Sequence, residues 1–240
     1  MINDIRNTVL AVLNKNNYGY ISPQDFNLYA QQAQMDLFED YFYAYNYQVN
    51  KENQRSSGTG YADIKKGYAE VIDFFSVTIN LTQNTPALNS FFLPSVNTTG
   101  SDYYLINKMF IGGTELERIE QGKILLLNSS PLTAPSTMFP AYTTEGNVAT
   151  VYPLATVAPT VTCQYIRYPK VPKWTYVDLG NNSEPVFDQS QSDYQDFELF
   201  ADDATDLTMK ILQYAGVSIR EASVVQYAGA VDATETNSEK

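Results

Sequence analysis

Phe74-Phe75-Ser76-Val77-Thr78-Ile79-Asn80-Leu81 is where this chain changes period. Val77, Ile79 and Leu81 alternate with Ser76, Thr78 and Asn80, the two-residue repeat of a half-buried strand. Before this stretch the apolar residues recur at helical spacing. After it lie ten of the eleven prolines, from Pro86 onward. The chain therefore reads as α+β, with helices first and strands after.

Working back from Phe74, Tyr61, Ile64, Tyr68, Val71 and Phe75 predict a short helix, and Asn50 to Gly60, polar throughout, predicts an exposed loop. Before that loop, Ser22 can cap a helix, Pro23 sits where a missing N–H does no harm, and Asp25 completes a capping box. Phe26, Ala30, Ala33, Leu37, Tyr41 and Tyr45 then form one stripe to about Val49, widened by Tyr29, Phe38 and Phe42. Ile5, Val9, Val12 and Leu13 predict a first helix that stops at Asn14 to Gly19.

Working forward, strands are expected at Tyr103 to Ile111, Val148 to Tyr152 and Val161 to Tyr168. Thr114-Glu115-Leu116-Glu117 has the spacing of a capping box and predicts a short helix through about Leu127. Pro131 to Tyr142 holds three prolines and predicts an irregular connection. Helical spacing returns near Ser192, through Phe197, Phe200, Ala204, Leu207, Ile211, Leu212 and Ala215, with Gly216 as a C-cap. Ser218-Ile219-Arg220-Glu221 is a further capping box, opening a last helix with Val224, Val225 and Ala228. The domain reading is an N-terminal helical part (1–73), a β-rich module (74–188), a C-terminal helical part (189–231) and a flexible polar tail (232–240). Its architecture is a bundle of N- and C-terminal helices carrying an inserted β-rich module.

The residue inventory narrows the chemistry. The chain has no histidine and one cysteine, but 19 tyrosines and 12 phenylalanines. Ser-His-Asp and Cys-His catalysis are excluded, as are zinc sites built within one chain from histidines or from several cysteines. Asn14 to Asp25 can be laid on a calcium loop, but the first ligand is neutral, Tyr18 stands where an oxygen ligand belongs, and Asp25 replaces the bidentate Glu. Asp202, Asp203 and Asp206, like Glu39 and Asp40, read as solvated faces, and Asp193, Asp196 and Glu198 as acids in the first turns of a helix. Lone Cys163 reads as a small apolar residue in a strand. These features predict no enzyme, no metal and no cofactor. A net charge of −12 with scattered basic residues argues against a conventional nucleic-acid binder. No run is long and apolar enough to cross a bilayer, and no secretory signal opens the chain, so a cytosolic product without membrane contact is expected.

Tyr41, Tyr43, Tyr45 and Tyr47 fall on alternate residues, which in a helix turns aromatic side chains to several faces. Such a helix sits inside a bundle or meets another subunit.

Beyond these readings, the chain resembles the head-to-tail adaptor ring proteins of short-tailed bacteriophages, particularly those of crAss-like phages. The resemblance is carried by Gly19-Tyr20-Ile21-Ser22-Pro23-Gln24-Asp25-Phe26-Asn27 with the Gln/Ala/aromatic helix that follows, and by Ser130-Pro131-Leu132. It continues through Pro135 to Tyr142, Tyr165 to Trp174, and the helix, glycine and capped helix of Leu207 to Tyr227. It spans most of the chain in order, without a catalytic signature. It implies a virion structural protein, assembled in the host cytoplasm, that forms a ring of about twelve copies at the head–tail junction. The ring would sit under the portal, join further ring or tail proteins, and extend a channel through which DNA passes without specific binding. In that setting Tyr41, Tyr43, Tyr45, Tyr47 and Trp174 are candidates for the subunit interface, and Ile219, Val224, Val225 and Tyr227 for contact with the portal. The competing readings are another neck or tail ring component, a carbohydrate-binding receptor-recognition module stacking sugars on Tyr and Trp174, and a hydrolase built on carboxylate pairs.

Overall fold

The computed structural model describes residues 1–13, 21–53, 64–100, 102–153, 159–178, 185–219 and 230. They divide into two compact units, one built from residues 1–65 and 169–240 and the other from 66–168.

In the first unit, α1 (Ile2–Leu13), α2 (Pro23–Asn53) and α6 (Ala204–Ile219) enclose one apolar core. The buried line of α1 is Ile2, Ile5, Val9 and Leu13, while Val12, expected inside, is exposed. The Asp196 carboxylate caps α1 from far along the chain, accepting from the Ile2 N–H at 2.8 Å and from the terminal ammonium at 3.2 Å. Ser22 caps α2 as expected: its hydroxyl accepts from the Asp25 N–H at 3.1 Å and donates to the Asp25 carboxylate at 2.6 Å. Phe26, Ala30, Ala33 and Leu37 bury one face of α2 against Leu207, Ile211, Leu212 and Ala215 of α6 and the rest of this core.

What completes the core is not a helix. Residues 169–178 and 185–200 run in extended and irregular conformation, including the two-stranded β9 (Tyr176–Val177) and β10 (Val186–Phe187). Trp174 is their anchor, 1 % exposed, stacked on Tyr176 and Phe187 with ring centroids 5.6 and 5.9 Å away. The Arg6 guanidinium lies 3.8 Å from the centre of the indole. Asn27 brackets the Trp174 backbone, its Oδ1 accepting from the N–H at 2.8 Å and its Nδ2 donating to the carbonyl at 3.1 Å.

The second unit is a sheet of eight strands in the order β1-β8-β4-β5-β6-β7-β3-β2. The strands are β1 (Ser76–Asn80), β2 (Thr82–Gln83), β3 (Ser90–Phe92), β4 (Tyr103–Ile111), β5 (Thr114–Arg118), β6 (Ala141–Glu145), β7 (Val148–Tyr152) and β8 (Val161–Arg167); α3 (Ile64–Asp73) precedes β1 in the chain and α4 (Val96–Thr99) lies between β3 and β4. The two end strands are one continuous stretch of chain. Ser76 to Asn80 pair with β8, the Leu81 N–H donates to the Val161 carbonyl at 2.8 Å, and Thr82 and Gln83 then pair with β3. β5 changes partner in the same way, from antiparallel β4 at Thr114–Leu116 to parallel β6 at Glu117–Arg118. Two strands that pass from one half-sheet to the other bring the sheet close to a barrel. Its core collects Leu81, Phe91, Leu93, Met109, Leu116, Tyr142, Ala149, Val151, Val161, Cys163 and Tyr165.

These observations overturn the expected architecture of a terminal helical bundle with an inserted β-rich module. The nearly closed sheet dominates the middle of the chain, and the terminal segments pack three helices around an extended, Trp174-centred strap. The helical repeat at both ends was legible, but it carries no information about the aperiodic residues 169–200 that fill the space between the helices. Three local expectations also fail. Thr114 to Glu117 belong to β5, joined to β4 by Gly112 and Gly113 at φ 54° and 89°, and α5 (Gln121–Asn128) starts only later. Phe197 and Phe200 precede the helix, whose 3-10 turn begins at Ala201. Gly216 is buried inside α6, which runs on through Ser218 to Ile219.

Candidate interaction surfaces

Two of the acids read as solvated faces, Asp40 and Asp203, brace the helices instead. Tyr214 donates to Asp36 and Lys210 pairs with Asp40 at 3.1 Å, two polar rungs between α2 and α6, and Tyr41 of α2 donates at 2.5 Å to Asp203 Oδ2 in the 3-10 turn just before α6. The Asp203 carboxylate also accepts from the N–H of Phe200, the residue before the 3-10 turn, at 3.0 Å, and so caps that turn. Asp193, Asp196 and Glu198 lie before the helix rather than in its first turns. Asp193 pairs with Lys173, whose hydrogen bond holds the carboxyl below its usual range. Glu198 accepts from the Lys170 N–H at 2.8 Å. Among the described residues no group of three or more His, Cys, Asp or Glu is placed to hold a metal ion. Most of the residues laid on the calcium loop, 14–20, lie outside the described residues. Burial pushes the Cys163 thiol up to about 12, leaving it a protonated, inert core residue.

The four tyrosines proposed for an interface separate into different roles. Tyr43 is the outward one, 66 % exposed, while Tyr45 and Tyr47 are half-buried. Tyr41, half-buried, is engaged by Asp203 within the chain. Trp174 is packed inside the first unit, so its indole has no face to offer a neighbouring subunit. Of the portal candidates, Ile219 ends α6, and Val224, Val225 and Tyr227 lie outside the described residues.

A surface that the periodicity did not reveal stands out in the second unit. Leu125 and Leu126 of α5 are each 73 % exposed, and Leu132, Met138 and Phe139 of the connection that follows are 94, 75 and 77 % exposed. The connection is ordered by its own hydrogen bonds: Thr133 Oγ1 donates to the Leu127 carbonyl at 3.0 Å, and Ser136 and Phe139 exchange N–H···O bonds of 3.1 Å. Beside it runs a groove of about 640 Å³, with Arg118, Lys123, Glu117 and Glu120 along it and Leu132 and Phe139 in its wall. A signal for this surface was present in the sequence. Ile124-Leu125-Leu126-Leu127 is apolar on every side of an eight-residue helix, and only Ile124 is buried.

No helix among the described residues is long and apolar enough to cross a membrane. No protein-family model matches this chain, and no curated protein matches it.

Proposed function

We propose that this chain is a virion structural protein that assembles into a ring between the portal and the tail and extends the DNA channel, without catalysis or a cofactor. The observation that carries the reading is the exposure of large apolar side chains in each of the two units, Tyr43 with Leu28 on α2 of the first and Leu125 to Phe139 of the second. A subunit of a closed ring needs two different adhesive faces, whereas an enzyme needs one concave site with convergent polar groups. The resemblance to head-to-tail adaptor rings supports the same reading and supplies the portal, the further tail proteins and the count of about twelve copies. The carbohydrate-binding alternative loses its main platform, since Trp174 is buried.

Electron microscopy of the purified chain mixed with portal rings tests the proposal. A ring of this chain bound coaxially to the portal is expected. A chain that neither assembles nor binds the portal would refute it.

A further inference from the structure

Leu125, Leu126, Leu132, Met138 and Phe139 together expose on the order of 600 Å² on α5 and the ordered connection after it, near the ~800 Å² that each partner buries in a stable interface, and Leu132 and Phe139 share one groove wall. The groove beside them holds two bases, Arg118 and Lys123, and two acids, Glu117 and Glu120, so it is locally neutral on a chain that carries −12. This is a place where another strongly acidic surface can approach without repulsion.

The outer face of α2 offers exposed carboxylates of that kind. Leu28 and Tyr43 are exposed on it, with Glu39 and Asp40 exposed between them. Asp40 already meets Lys210, so Glu39 is the carboxylate best suited to an incoming base. Arg118 is exposed and suits it, because a guanidinium grips a carboxylate through two parallel hydrogen bonds. We propose that the Leu125–Phe139 surface of one copy seats on the outer face of α2, Leu28 to Tyr43, of a second copy. The contact is heterologous, joining unlike faces, which is the kind that repeats around a ring. The inference rests on the ring reading above and names the two faces that would build it.

Two measurements on the full chain test it. In the first, Phe139→p-benzoylphenylalanine is prepared as an equal mixture of ¹⁴N and ¹⁵N protein, irradiated, and mapped by mass spectrometry. Mixed-isotope cross-links to residues 28–43 are expected. In the second, the pair Leu132→Asp and Phe139→Ser is expected to weaken self-association by about tenfold or more while leaving the melting midpoint near the parent's, since both side chains are exposed. Cross-links between copies that map elsewhere, or association unchanged by the pair, would overturn the docking assignment and leave the ring reading standing. A parent chain that stays monomeric and yields no mixed-isotope product, alone or with portal, would overturn both.

Discussion

Replacing Trp174 with Ala removes the indole on which Tyr176 and Phe187 of the strap and the Arg6 guanidinium converge, while the Asn27 bracket, made to the backbone, stays. A buried aromatic cut back to Ala costs about 3–5 kcal/mol. Chemical denaturation of Trp174→Ala is expected to show a loss of that size, and a loss below about 1 kcal/mol would remove Trp174 from its anchoring role. Cys163 offers a second reading at this scale. Its thiol is raised from 9.0 to about 12 by burial, so whatever stability it contributes is complete below pH 9.0 and is lost as the pH climbs through the folded value. An aromatic disulfide reagent at pH 8 is expected to label Cys163 only after denaturant is added; fast labelling of the native protein would contradict this. The burial of Cys163 was legible from the strand around it. The burial of Trp174 was not, because its stretch, from Lys170 to Tyr176, has no helical or sheet repeat, and its partners Asn3, Arg6 and Asn27 lie far away in sequence.

Among the elements, those closed by local chemistry were the ones legible in the sequence. The start of α2 follows from Ser22 and Asp25 alone, and Ser22→Ala is expected to lower stability by about 1 kcal/mol in urea unfolding. Thr114 to Glu117 had the same spacing and misled, because the pair of positive-φ glycines before it forms a hairpin turn and the strand pairing of β5 outweighs helix capping. Gly113→Val is accordingly expected to destabilise the second unit, since a β-branched residue at φ 89° is strained, and a thermal melt unchanged by it would argue against the turn. The aromatic run of α2 was readable as two-faced but not as assigned. Tyr43→Ala is expected to leave the melt within about 0.5 kcal/mol and to weaken self-association, whereas changing Tyr41 breaks the hydrogen bond to Asp203 and costs fold stability instead. Sedimentation velocity beside thermal melts separates the two effects.

At the scale of the whole molecule, the sequence announced an α+β chain with a period change at Phe74, but not what that stretch does. Val77, Ile79 and Leu81 identify a strand; that its two ends pair with β8 and β3 on opposite edges of one sheet depends on partners about eighty and ten residues away, which no local pattern encodes. The ring proposal likewise rests on exposure that only the folded chain reveals. In such a ring, about twelve copies at −12 each would carry on the order of −140 charges, which keeps phosphates from adhering to a wall within the ~8–10 Å over which charges act. Asp, Glu and neutral polar side chains are expected to line the lumen, with Lys and Arg turned toward neighbouring proteins. Fluorescence anisotropy should show no tight DNA binding by the isolated chain at physiological salt, and tight binding would contradict an inert channel. The central claim is that this 26.9 kDa chain is a ring subunit, and native mass spectrometry across a concentration series, with and without portal, tests it most directly. The account predicts one closed species of roughly 320 kDa, or its complex with portal; a 26.9 kDa monomer under every condition would contradict it.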